Sequence, residues 1–265
     1  MELRSAFTFT MLLSPSELLL SVAMAISAGL VGCFAVMRRM TLAADALSHV
    51  ALPGIGIALA LRAHPAWGAG AMLLVGAILI WVLEERTRIS TETLTGVVFS
   101  AALAVGSMMT SGEELIEALF GAPGTLTHWE LALGLSSAAV IVFFTLGMRR
   151  RLVLALVSSE IAHTAGIRVA RLNLLYLVTF ALTVALGLRY LGVLLMGSLI
   201  IIPAATARRL AGNLNRMFTI SVTVAVASTV GGSYLAVALE QQTGPVIVTL
   251  AAGCFLLSLF HRSGR

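Results

Sequence analysis

Lysine is absent from this chain, aspartate occurs once, at Asp45, and charged residues make up only 11% of the 265 positions. A soluble domain would be about 25% charged, so a water-facing globular fold is excluded. The two cysteines, Cys33 and Cys254, lie in apolar runs and read as small core hydrophobes, silent about redox compartment. There is no phosphate-binding P-loop and no HExxH, and Met196-Gly197-Ser198-Leu199 lacks the glycine that follows the serine of a nucleophile elbow. The chain is therefore not expected to be an enzyme, and any ATP-driven step must take its ATPase from another chain.

What is present is hydrophobic: 59% of the residues, with a mean hydropathy of +1.01. The expectation is an all-α polytopic membrane protein with one domain over 1–265, surrounded by lipid and holding no permanent cofactor. A bilayer core takes roughly 20 apolar residues per helix. Spans are expected at about Glu17–Met37, Ala43–Leu61, Ala66–Leu83, Thr91–Thr110, Glu130–Met148, Ala170–Leu188, Leu191–Ala207, Met217–Leu239 and Val246–Phe260. That makes nine helices, or eight to ten, since the split near Arg189-Tyr190-Leu191 is the weakest boundary. After Arg4 no small-residue cleavage site is evident, so the first helix is expected to stay in the membrane.

All 17 basic residues are arginine. If Arg149-Arg150-Arg151 is cytoplasmic, the alternation of spans puts Arg38, Arg39, Arg86, Arg88, Arg168, Arg171, Arg208, Arg209, Arg216, Arg262 and Arg265 on the same side, and Arg4, Arg62 and Arg189 on the other. This asymmetry favours an external N-terminus and a cytoplasmic C-terminus. It accounts for the high pI without nucleic acid, which is not expected as a partner.

Two connections are longer than turns. Ser111–Trp129 carries Glu113, Glu114 and Glu117 before Gly121-Ala122-Pro123-Gly124 and reads as a short external helix ended by Gly and Pro. Its acids are a solvated face or a cation-attracting one. On the cytoplasmic side, Ser158-Ser159-Glu160 resembles a helix N-cap with a first-turn acid, and the turns after it close at Gly166. Such a helix lies on the membrane surface or docks a cytoplasmic partner.

The focal stretch is Arg38-Arg39-Met40-Thr41-Leu42-Ala43-Ala44-Asp45-Ala46-Leu47-Ser48-His49-Val50-Ala51-Leu52-Pro53-Gly54. A carboxylate inside an apolar span costs about 2.5–3.5 kcal/mol on insertion scales. Asp45 and His49, four residues apart, share a helix face. At 1.5 Å per residue, His49 lies about 15 Å beyond Arg39, near the bilayer midplane. Pro53, one turn later, permits a kink. Imidazole with carboxylate suits Zn²⁺, Mn²⁺ or Fe²⁺ and not Cu(I). One Asp and one His make half of a four-coordinate site, which a two-fold dimer with this helix at its axis would complete. A hydrogen-bonded pair that locks packing, or a proton relay, fits the same residues. His64, His128, His163 and His261 are weaker candidates. Pro203, late in the Gly192–Ala207 stretch, is expected to disrupt the last turn of its helix.

Three stretches, in this order along the chain, resemble a known family. Ala44-Asp45-Ala46-Leu47-Ser48-His49 with Leu52-Pro53-Gly54, then Glu92–Ser100, then Gly192-Val193-Leu194-Leu195 through Ile202-Pro203-Ala204-Ala205-Thr206-Ala207, are similar to the marked segments of the metal-ion permeases of ABC transporters. The resemblance runs from about Ser16 to Phe260. It implies a homodimeric permease of the bacterial inner membrane, built like the cobalamin-type importers, with two cytoplasmic ATP-binding subunits and an external metal-binding protein. It implies a transported divalent metal, zinc ahead of manganese, with ATP held by the partner. Asp45 and His49 carry over as metal ligands on the translocation path, and Pro53 and Pro203 as helix breaks beside it. The helix at about 158–166 becomes a coupling helix, with Ser159, Glu160, Ala162 and Gly166 toward the ATPase. Ser158-Ser159 stand where the family often has an acid. The competing expectation is a stand-alone secondary transporter or channel with Asp45 and His49 as a cation or proton relay.

Overall fold

The computed structural model describes residues 15–87, 89–109 and 127–260; at 42–45, 109 and 189–195 it describes the backbone alone. All regular structure among them is helical. The elements are α1 (Pro15–Met37), α2 (Thr41–His49), α3 (Ala51–Ala60), α4 (Pro65–Thr87), α5 (Thr91–Met109), α6 (His128–Val157), α7 (Ser159–Thr164), α8 (Val169–Leu210), α9 (Leu214–Leu239) and α10 (Thr243–Phe260). Seven stretches are long and apolar enough to cross a bilayer: α1, α4, most of α5, α6, the first 20 residues of α8, α9 and α10. The expected external helix within Ser111–Trp129 lies, apart from its last residues, outside the described residues.

The span expected over Ala43–Leu61 is two helices. Val50 separates them, with φ −62° and ψ −18°, and its N–H turns back to Leu47 O at 3.1 Å. Pro53 explains the place. Proline has no N–H to give the carbonyl four residues earlier, and its ring crowds that carbonyl; four residues before Pro53 is His49. As the third residue of α3, Pro53 itself sits where helical N–H groups have no intrahelical acceptor anyway. The break therefore falls just after His49, one turn ahead of the proline. α2, Val50 and α3 together cross the bundle as one interrupted rod of about 30 Å.

α8 is helical over 42 residues, about 63 Å if straight. Yet Tyr176 Oη, near its start, donates to Val31 O at 3.4 Å, and Arg208, near its end, donates to Val36 O at 2.9 Å. Val31 and Val36 are neighbours on α1, so α8 doubles back; the reversal lies between Leu188 and Met196, where Gly187 is packed against Met196 Sδ. The weak boundary expected near Arg189-Tyr190-Leu191 is this reversal. With the returning arm and the α2–α3 rod, the described residues run along the bundle nine times. The return arm passes through Pro203 without ending there and continues to Leu210, where a disrupted last turn was expected. α6 likewise continues past Arg149-Arg150-Arg151 to Val157; its charged side chains can reach water while the helix continues.

α1 is the core, with fourteen of its 23 residues buried; α6, both arms of α8, and α9 pack on it. Inside lipid, helices associate through close packing and small residues. A Cβ at Gly32 would land on Ile200 O, and one at Gly54 or Gly68 would land on the carbonyl oxygen of the other, so α3 and α4 touch backbone to backbone. Ser221 Oγ adds a buried bond to Gly29 O at 2.7 Å.

The charges sort by end. Arg208 caps the end of α1, and Arg209 caps α10 through Ser258 O and Leu259 O, both at 2.9 Å. Arg149 reaches Asn215 Oδ1 at 3.1 Å on the same side. Cations at helix C-termini are favoured by the macrodipole and by the unpaired last carbonyls. At the opposite end Trp67 and Trp129 stack with centroids 5.9 Å apart and planes 7° apart, both exposed, as in an interfacial aromatic belt. Below them Glu130 closes a capping box on Thr127 and lies 3.8 Å from His64 Nε2.

The α3–α4 contact is testable. Gly68→Ala should cost about 1–3 kcal/mol of stability as overpacking, read as a lower melting temperature in detergent. Gly70→Ala, where nothing lies within 4 Å, should leave it unchanged or raised.

Candidate metal pathway

The candidate path begins where α1 ends. Arg39 adopts a left-handed backbone, φ 59°, and the turn is closed by Arg39 N–H to Val36 O and Met40 N–H to Ala35 O at 2.9 Å. That conformation costs a residue with a Cβ about 1–2 kcal/mol, and glycine is the usual occupant. Next to it, the Arg38 guanidinium lies 4.5 Å over the ring of Tyr176, a cation–π contact. Burial lowers the Arg38 pKa, while Tyr176 and Glu84 pull the other way; the group stays charged at ordinary pH. Glu84 also accepts from Thr91 Oγ1 at 2.5 Å, which ties the end of α4 to the start of α5.

From this turn α2 runs inward. Asp45 lies on its backbone one turn before His49; its side chain is outside the description. His49 is the last residue of α2. Leu47, Ser48 and Val50 around it are buried to 2% exposure or less, and its own Nδ1 is shut off from solvent. The imidazole meets the ring of Phe99 from α5 with centroids 5.3 Å apart and planes at 61°. His49 is the ninth residue of the 20-residue rod from Thr41 to Ala60, and Phe99 is the ninth residue of the 19-residue α5, so both sit midway through the bundle. Seven residues on, a Cβ at Gly106 of α5 would meet Leu52 Cβ at 2.8 Å and Pro53 Cδ at 3.3 Å. One face of α5 thus flanks the rod on both sides of its break. Among the described residues no three His, Cys, Asp or Glu side chains gather. His64 and His128 lie at the tryptophan end, His163 is exposed on α7, and His261 falls outside the described residues. Pro203 is buried within the return arm of α8.

α7 forms as its caps require. Ser158 Oγ accepts from Ile161 N–H at 3.3 Å. At the other end Gly166, with φ +74°, lets its N–H reach His163 O and the Ile167 N–H reach Ala162 O at 2.9 Å, the Schellman pattern that favours glycine. Ala162 is fully buried beneath the helix, whereas Ser159, Glu160 and Gly166 are exposed with Ile161 and His163. The Phe99–His49 contact and the Arg38–Tyr176 contact are absent from the sequence reading. Their partners are 50 and 138 positions apart, and no local pattern pairs them.

The model of the ABC 3 transport family matches residues 12–262. The chain belongs to that family. Among relatives, it is 32% identical over 252 residues to the high-affinity zinc uptake system membrane protein ZnuB of Haemophilus influenzae, covering 92% of this chain and 96% of that one. It is 29% identical over 263 residues to the manganese transport system membrane protein MntC of Halalkalibacterium halodurans, covering 96% and 90%. Its fold superposes on PsaBC of Streptococcus pneumoniae, solved in complex with Fab, with a TM-score of 0.79 at 28% identity over 92% of this chain and 89% of that one. The expected all-helical ABC-permease architecture is the one found, and family membership agrees with a transport subunit rather than an enzyme.

The cap on α7 yields a local prediction. Ser158→Ala should remove about 1 kcal/mol, seen by hydrogen exchange as roughly five-fold faster exchange of the Ile161–Thr164 amides, with α6 unchanged.

Proposed function

We propose that this chain is the membrane-spanning subunit of an ATP-driven importer for a divalent transition metal, with Asp45 and His49 as the ligands the ion meets midway. One observation carries the reading: His49 closes α2 at the helix break, halfway through the bundle, with the chain's single aspartate one turn before it. Interrupted helices at membrane depth line cavities or are buried in protein, and ionisable groups there mark ion paths. Carboxylate and imidazole donors suit zinc, manganese or ferrous iron. The zinc and manganese systems for which the relatives are named point to the same group of ions. Zinc is favoured, with manganese close behind. Family membership in the ABC class weighs against a stand-alone carrier or channel.

The working unit is a homodimer in the bacterial inner membrane, in which a second copy brings the other Asp45 and His49. The arginine-rich end is cytoplasmic, by the positive-inside rule, so the N-terminus is outside and the C-terminus inside. There α7 docks on an ATP-binding subunit through its exposed Ser159, Glu160 and Gly166, while Ala162, also expected at that contact, is buried on the side away from it. An external metal-binding protein delivers the ion at the tryptophan-bearing end. ATP binding, transmitted through α7, reorients the dimer, and a site of few ligands releases the ion inward.

Asp45→Ala and His49→Ala should each abolish metal uptake into vesicles holding the complex, while the chain still co-purifies with its ATPase. Undiminished uptake in both variants would rule out these ligands. Uptake without any ATPase would rule out the importer.

A further inference from the structure

Resting on that reading of His49, we infer that Phe99 is a positioning residue of the pathway: its ring sets the plane of the His49 imidazole. The terminal torsion of histidine is broad, so a helix-borne imidazole facing a path presents its nitrogens over a range of angles unless something packs against it. Metal-binding histidines are ordinarily oriented by a second group behind the ring. Here one such contact is an aromatic face-and-edge pair with Phe99, centroids 5.3 Å apart and planes at 61°. That geometry is the one the ring quadrupoles favour, and it persists when the imidazole gains positive character on binding a cation.

Phe99 is itself held. On α5 the buried positions Leu94, Thr95, Val98, Ala102 and Gly106 recur at helical spacing, so the face beside Phe99 is seated in the bundle. Gly106, seven residues on and therefore on the same face, abuts Pro53. The proline that creates the break and the imidazole before it thus lean on one helix. A displacement of α5 along its axis would shift Phe99 relative to His49 while Gly106 shifts against Pro53, so the ring contact reports the state of the break.

The test is titration of Zn²⁺ alone into the purified full chain in detergent, against a chromophoric competitor. Phe99→Leu, which keeps apolar bulk and removes the ring, should weaken Zn²⁺ binding roughly two- to ten-fold, and Phe99→Tyr should stay within about two-fold of the parent. Melting temperatures of both variants are recorded alongside, and Phe99→Met replaces the leucine variant if that one does not fold. Equal weakening by leucine and tyrosine, or none with leucine, overturns the positioning role. His49→Ala in the same titration separates the two levels. If it abolishes binding while Phe99→Leu binds as the parent does, only the Phe99 role fails. If it binds Zn²⁺ as the parent does, the pathway reading fails and takes the Phe99 role with it.

Discussion

The break after His49 is the constraint around which the other contacts are arranged. Proline at position 53 withholds one hydrogen bond and displaces one carbonyl, and in hydrocarbon such a defect is tolerable only when protein surrounds it. The chain surrounds it with backbone. Gly54 and Gly68 bring α3 and α4 into main-chain contact, Gly106 fits under Pro53, and Val50 packs against the bare backbone of Gly76. These contacts all lie at or beyond the break. They fix α3 as part of the wall, while α2, which carries Asp45 and His49, is held by α8 and by the Phe99 face of α5.

Charge is arranged around the same rod. The chain's one aspartate lies on the backbone of α2, and among the described residues Arg208 and Arg209 sit together at one end, where their guanidinium groups serve helix-end carbonyls. Arg39 accepts an unfavourable backbone conformation at the entrance to α2, and Arg38 beside it lies over the Tyr176 ring with the Glu84 charge also acting on it.

Much of this was legible in the residues. The nine passes along the bundle follow from hydropathy, the end-to-end asymmetry from the arginines, and the caps of α7 from Ser158 and Gly166, because each depends on neighbours in sequence. Boundaries were misplaced where tertiary contacts decide them. Hydropathy ends at Arg149-Arg150-Arg151, but helical hydrogen bonding does not, so α6 projects two turns further. Pro203 was expected to disrupt the last turn of its helix, yet the return arm, packed against α1, continues to Leu210. The rod was read as one span with a kink at Pro53-Gly54; proline acts on the residue four before it, which moves the break next to His49. The pairing of that imidazole with Phe99 had no local signature.

Arg208 and Arg209 are adjacent, and one caps the first described helix while the other caps the last. Considered as events in time, the bond between Arg208 and Val36 spans 172 positions. At synthesis rates of about 5–20 residues per second, the end of α1 waits roughly 10–35 s for its cap after it is made. Until then α1 is a hydrophobic rod with open carbonyls at the arginine-rich face, and α10 arrives later still. The consecutive arginines act as a clasp between the first and last described helices, and the Val36 end of it can fasten only after the stretch from α2 through α8 has been made.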